Sequence, residues 1–207
     1  MAYKPILFNT EMVQAIQTGR KTQTRRIIKP QPVWDGVSCH YISDYGCWTD
    51  GGAIHIPTKH TRKEWPIKPG DILWVRETWR PIEASSAGWC RIEYKAGGAE
   101  VFQKIIAVPK HLEPWHPSIH MPKDAARIFL RVKDVRVERL KDIYEKYEPE
   151  PGHPVSLEGF HYTCDFIATW ENTIKPADRE RYGWEANPWV WVIEFECCEK
   201  PERWPDV

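Results

Sequence analysis

The sequence predicts an α+β fold: a small closed β-barrel with two or three peripheral helices, in one domain of 207 residues. Three observations point there. Apolar segments of strand length outnumber helical patterns, strands and helices come in mixed order, and no run of βαβ units announces a doubly wound parallel sheet. A chain this long buries roughly 70% of the surface its unfolded form exposes, so its core needs no external staple.

The elements follow in order. Lys4 to Phe8 reads as a short strand, and Thr10 offers a side-chain oxygen to cap a helix whose apolar positions are Met12, Val13 and Ile16. Gly19 ends that helix. A basic segment from Arg20 to Lys29 is closed by Pro30 and Pro32. Residues 33–66 are rich in Gly, His, Trp and Asp without a sustained period, which predicts an insertion loop. Lys68-Pro-Gly-Asp71 then turns the chain into the apolar run Ile72 to Val75, a buried strand. Residues 80–108 carry a weaker pattern, with candidate strands at Arg91 to Lys95 and Val101 to Val108.

Ile128, Leu130 and Val132 alternate, lose phase at Lys133-Asp134, and resume at Val135 and Val137, the signature of a bulge in a curved strand. Glu148-Pro-Glu-Pro-Gly152 stops a helix that starts near Lys141. Phe166, Ile167, Trp170 and Ile174 share one helical face. Trp189 to Phe195 is a continuous apolar strand, and a short acidic tail, 199–207, follows it.

The composition, 42% hydrophobic and 28% charged, is that of a globular chain. The apolar stretch Ile6-Leu7-Phe8 is too short for the core of a signal peptide, so a cytoplasmic location and no membrane partner are expected. Six cysteines in such a chain are expected to be reduced. Cys39, Cys47, His55 and His60 carry groups suited to zinc, but their wide spacings match no compact zinc motif, so neither metal nor cofactor is expected.

Lys+Arg and Asp+Glu balance at 29 each, which excludes a global field for a polyanion. Locally the balance breaks. No acid lies between Glu11 and Asp35, where Arg20, Lys21, Arg25, Arg26 and Lys29 all fall, while the last fourteen residues carry five acids and two bases. An anionic ligand is expected near the basic stretch. The twelve tryptophans are read mainly as core, with a few able to stack a base at a pocket mouth.

Five strings go beyond pattern. Leu7-Phe-Asn9, Gly19-Arg-Lys-Thr-Gln-Thr-Arg-Arg26, Pro69-Gly-Asp-Ile-Leu-Trp-Val-Arg-Glu-Thr-Trp79, Pro117-Ser-Ile-His-Met-Pro122 and Asn187-Pro-Trp-Val-Trp191 together resemble the ASCH-domain proteins frequent in phages and prophages, over roughly residues 5–196. The resemblance implies a PUA-like barrel with a polar pocket, of the kind that handles RNA and modified nucleosides, and makes the stretches 33–66 and 80–110 variable insertion loops. It gathers Arg76, Glu77, Trp79, His120, Arg127 and Trp189 around that pocket with Arg25 and Arg26.

A shorter branch of the same superfamily removes the acetyl group from the exocyclic amine of acetylated cytidine, and its Gly-Arg-Lys-Thr-x-Thr-x-Arg string matches Gly19 to Arg26. Its catalytic lysine and threonine then correspond to Lys21 and Thr24. Its third residue, a glutamate, falls on Pro151 without a gap. Glu150, one place away, and Glu77, at the end of a strand, are the two candidate acids.

The chemistry is coherent. A threonine hydroxyl attacks only when a base takes its proton, and a lysine serves as that base when desolvation lowers its pKa. In a helical turn Lys21 and Thr24 share a face; in a strand they point to opposite sides. Arg25 and Arg26 suit a phosphate or carboxylate, or else an internal salt bridge to Glu77 or Asp71. Three functions follow: an amidohydrolase acting on an acylated pyrimidine nucleoside, a non-catalytic module binding RNA or a modified base, and a ribonuclease using Lys21 and His120 as acid and base. Lys21, Thr24, Arg26, Glu77 and Arg127 are expected in one concavity. The sequence leaves the oligomeric state open.

Overall fold

A computed structural model describes residues 1–34, 39–43, 46–49, 66–84, 89–103, 114–145 and 157–201. Its strands are β1 (Tyr3–Leu7), β2 (Gln23–Ile27), β3 (Val33–Trp34), β4 (Cys39–Ser43), β5 (Gly46–Thr49), β6 (Ile72–Arg76), β7 (Trp79–Ala84), β8 (Trp89–Tyr94), β9 (Ala99–Gln103), β10 (Phe129–Arg139) and β11 (Trp189–Cys198). The α-helices are α1 (Thr10–Gln17), α2 (Asp142–Glu145), α3 (Thr163–Thr173) and α4 (Arg179–Tyr182). The fold is mixed α+β. Two compact units emerge: Met1–Gly19 with Gly70–Arg131 and Glu196–Val207, and Arg20–Pro69 with Val132–Phe195.

In the first unit β1 runs parallel to β6, from Tyr3 opposite Ile72 to Leu7 opposite Arg76. The start of β10 pairs antiparallel on β6, with Phe129 opposite Trp74. Asp71 anchors the entry to β6 by accepting the Ala2 amide at 2.8 Å and Lys4 Nζ at 2.7 Å. The meander β7-β8-β9 covers the stretch read as an insertion, with a register shift between Pro81 and Glu83. Ile72, Trp74, Trp79, Ile92, Tyr94, Met121 and Phe129 pack as its core.

Helix α1 begins where expected, but its cap is Asn9, not Thr10. Asn9 keeps an extended backbone and its Oδ1 accepts the Met12 amide at 2.8 Å, whereas Thr10 is already in the first turn. Val13, Ala15 and Ile16 form the buried face, and Gly19 at φ 73° ends the helix in the left-handed region.

The second unit orders β10, β11 and β2 side by side. β2 and β11 are antiparallel, with Gln23 opposite Glu194, Arg25 opposite Val192 and Ile27 opposite Val190. Val190 and Val192 meet Leu140, Ile143 and the apolar face of α3, where Phe166 and Trp170 are buried and Ile167 partly so; Ile174, expected on that face, is the extended C-cap and is buried in the same cluster. The segment expected to be an irregular loop instead opens with the antiparallel meander β3-β4-β5. Strands this short carry too few alternations to stand out in sequence. The Glu148 to Gly152 stop and the segment 51–65 lie outside the described residues.

The runs expected as buried strands are found in β6 and β11, and in β10 from Phe129 onward; Ile128, expected to open that run, is half-buried and precedes the strand. Along β10 the buried positions pass from Leu130 and Val132 to Val135, a change of parity at the place where the pattern loses phase. Trp74, Trp79, Trp170, Trp189 and Trp191 are buried. Among the described residues no helix is long and apolar enough to cross a membrane.

Candidate functional site

Immediately before β2, Thr22 N donates to Leu157 O at 2.9 Å and Phe195 N donates to Thr22 O at 2.8 Å, so the chain is held on both sides. One residue earlier, Lys21 makes an antiparallel bridge with Glu158. That bridge places the two side chains together. Lys21 Nζ donates to Glu158 Oε2 at 2.8 Å and to Glu158 O at 2.9 Å, and none of the lysine side chain reaches solvent.

The other oxygen of the same carboxylate is taken. Arg25 Nη1 donates to Glu158 Oε1 at 2.8 Å, while Nη2 of the same guanidinium donates to Glu138 Oε2 at 3.2 Å. Glu138 in turn accepts Arg136 Nε on Oε1 at 2.8 Å, and Arg136 Nη2 reaches Gln23 Oε1 at 3.3 Å. Lys21, Gln23, Arg25, Glu138 and Glu158 are all buried. A run of alternating charge therefore extends from Lys21 to Arg136, whose side chain is partly exposed.

Burial pushes the Lys21 ammonium below the usual lysine pKa; the Glu158 carboxylate works against this, and the charges of Arg26 and Arg25 work with it. Arg26 is likewise lowered by burial, with Glu158 opposing. Strand alternation puts Thr24 and Arg26 on one face of β2 and Gln23 and Arg25 on the other. Thr24 is buried opposite Ile193. At the exposed side of the lysine's neighbourhood, Arg20 Nη1 donates to Gly159 O at 3.3 Å and lies 3.5 Å from His161 Nε2.

The remaining sequence-selected residues belong mainly to the first unit. Glu77 is buried and receives both edges of Arg127, Nε on Oε1 at 2.8 Å and Nη2 on Oε2 at 2.9 Å. The same guanidinium lies 3.9 Å from the centroid of the Tyr94 ring. Burial raises the Glu77 pKa and the Arg127 hydrogen bonds and charge oppose it. Arg76 donates to Ile119 O, and burial lowers its pKa. His120 is exposed in a short 3₁₀ turn, Ser118–His120. Trp79 is buried with its ring 5.1 Å from that of His116, a core position. Trp189, in the second unit, is buried beneath the Arg139 guanidinium at 4.2 Å.

Arg25 makes the internal salt bridge foreseen as one alternative, but to Glu158 and Glu138; Asp71 pairs with Lys4 and Glu77 with Arg127. The acid on Lys21 is Glu158, which sequence reasoning did not single out. Glu150 lies outside the described residues. Glu158 sits 137 residues from its lysine in a short Leu157-Glu-Gly-Phe160 link with no periodic signal, so only the β-bridge reveals the pairing. Glu138 was hidden differently, as an acid in a strand otherwise read for its valines.

Cys90, Cys164, Cys197 and Cys198 are free thiols. Among the described residues no group of three or more His, Cys, Asp or Glu side chains is arranged to hold a metal ion. Comparison with protein-family models, with curated proteins and with solved structures found no match.

Proposed function

We propose that this chain is an ASCH-like protein with a PUA-like barrel fold, acting on nucleosides or RNA, and that it removes an acyl group from the exocyclic amine of a modified pyrimidine nucleoside. The observation that carries the reading is the buried Lys21–Glu158 pair. It supplies what the string Gly19 to Arg26 lacks, a carboxylate on the lysine. Desolvation favours the neutral amine that a general base requires, and the two hydrogen bonds to Glu158 fix where its nitrogen sits.

In this mechanism Lys21 Nζ takes the proton of Thr24 Oγ1 as that oxygen attacks the acyl carbon. The C–N bond then breaks, the lysine returns the proton to the leaving amine, and an acyl-threonine ester remains for water to cleave. Glu158 orients the lysine and stabilises its transient ammonium. Arg26, on the Thr24 face of β2, offers a cation to the substrate's oxygens or phosphate.

A second reading is recognition of RNA or a modified base without chemistry. It is favoured by the alternation of β2, which directs Thr24 away from the face that Gln23 and Arg25 occupy. One experiment separates the two. The protein is incubated with acylated nucleosides and with oligoribonucleotides, products are read by mass, and the assay is repeated with Lys21→Met and Thr24→Ala. Acyl release prevented by both substitutions supports the hydrolase. Tight binding without product supports the recognition module, and strand scission supports a ribonuclease.

A further inference from the structure

Arg25 is bound in an unusual way for a buried arginine. Its two terminal nitrogens go to two different carboxylates, Glu158 and Glu138, instead of forking onto one. Its Nε is buried and makes no hydrogen bond among the described residues. The guanidinium thus spans a gap rather than closing a pair, and it reserves one oxygen of Glu158 for itself. We propose that Arg25 is a positioning residue: a clamp between Glu158 and Glu138 that leaves Lys21 one of the two Glu158 oxygens and fixes the lysine where it acts.

The proposal rests on reading Lys21 as the base, and it adds the device that tunes it. Among the described residues, the charged groups that act on the lysine are Glu158 across the bridge and Arg25 and Arg26 on β2; Arg25 carries the run on to Glu138 and Arg136 on β10, and Arg20 and His161 lie beside Gly159. Glu158 is an anion in direct contact with Lys21. Whatever draws Glu158 toward Arg25 weakens its hold on Lys21, and whatever frees Glu158 strengthens that hold. Glu138 controls the balance, because it competes with Glu158 for the same guanidinium.

Two substitutions on the strands that flank β11 should therefore move Lys21 in opposite directions. Arg25→Gln removes a cation and releases Glu158 to the lysine, so the ammonium is retained to higher pH. Glu138→Gln removes the competitor, turns Arg25 wholly onto Glu158, and lets the ammonium lose its proton at lower pH. Arg25→Lys keeps the charge but cannot span both carboxylates, so it should fall between the wild type and Arg25→Gln. Bare removal of charge gives the first two signs as well, but it leaves Arg25→Lys at the wild-type position; only a clamp that needs the guanidinium fork moves that variant.

The test is an NMR titration of the intact protein labelled at its lysine side chains, with the Lys21 signal assigned by its loss in Lys21→Met. The expected result is an upward shift in Arg25→Gln, a downward shift in Glu138→Gln and an intermediate position in Arg25→Lys. Unchanged titration in folded variants, shifts of the same sign, or an Arg25→Lys variant that titrates with the wild type, would overturn the clamp. If Arg25→Gln fails to fold, the position of Arg25→Lys still decides. The readout needs no turnover: opposite shifts without deacylation leave the clamp standing and remove the proposed activity. Deacylation with an unmoved Lys21 does the reverse. Where deacylation is measured, the acid limb of its pH profile should follow the NMR order, with Arg25→Gln regaining rate at alkaline pH.

Discussion

Glu77 in the first unit gives both its oxygens to one arginine, whereas Glu158 in the second divides its two between Lys21 and Arg25. Both carboxylates are buried, and both replace water with charged donors. The first pair is closed: the Arg127 fork matches the carboxylate, and Tyr94 covers the guanidinium. In the second, one anion serves two cations, and the deficit is passed through Arg25 to Glu138 and on to Arg136. A closed pair is suited to holding a fold, while a shared carboxylate leaves one partner adjustable.

The largest effect should come from the anion at the branch. Glu158→Ala takes the carboxylate from Lys21, which keeps the backbone carbonyl of residue 158, and leaves Arg25 with Glu138 alone among the described residues; breaking a buried pair of this kind costs about 3–5 kcal/mol. Urea denaturation should place its stability well below that of Lys21→Met, in which Glu158 keeps Arg25 and the loss is about 1–3 kcal/mol. Equal losses would show that the sharing seen here has no energetic meaning.

The closed pair should behave symmetrically. Glu77→Ala and Arg127→Ala are each expected to cost about 3–5 kcal/mol, and the apolar double variant Glu77→Leu with Arg127→Met less than either. A double variant as unstable as the sum of the singles would break the comparison at this end. Gly98→Ala probes the same pair from outside. An added Cβ would meet Arg127 Nη1 at 2.9 Å, in a backbone at φ 86°. Gly70→Ala, at φ 87° with open space around it, carries the backbone strain alone, about 1–2 kcal/mol. Gly98→Ala should be the worse of the two in thermal melts, and identical losses would mean that Arg127 yields freely.

A smaller effect concerns pH. Because Lys21 has a lowered pKa when folded, the unfolded chain binds more protons between that value and the ordinary 10.5, so its contribution to stability rises with pH across this window. Lys21→Met loses that rise. Subtracting its unfolding free energies from those of the wild type should leave a line that climbs toward pH 10.5; a falling line would mean that Glu158 holds the ammonium more strongly than burial disfavours it. The smallest effect is expected at the outer end of the charge run, where Arg136 and Glu194 are 3.7 Å apart and both partly exposed. Glu194→Ala should stay within about 1 kcal/mol of the wild type in urea denaturation.

These contrasts mirror what was legible in the chain. The alternating and continuous apolar runs of β6, β10 and β11, the buried face of α3 and the glycine stop after α1 all rest on local periodicity or a single backbone requirement, which neighbouring residues express by themselves. So does the basic stretch that contains Lys21, Arg25 and Arg26. The cap on α1 shows the limit at short range: Asn9 and Thr10 are both capable, and which one bonds depends on where the backbone turns helical.

The carboxylates that meet those cations were decided by tertiary structure. Glu158 and Glu138 lie 133 and 113 residues from Arg25, and nothing in the composition around them marks one acid among 29 as a partner. A hydrogen bond of 2.8 Å is set by the strand bridge between Lys21 and Glu158 and by the register of β2 in its sheet, which are properties of pairing. Periodicity reports which way a side chain faces; only the paired backbone determines what it faces.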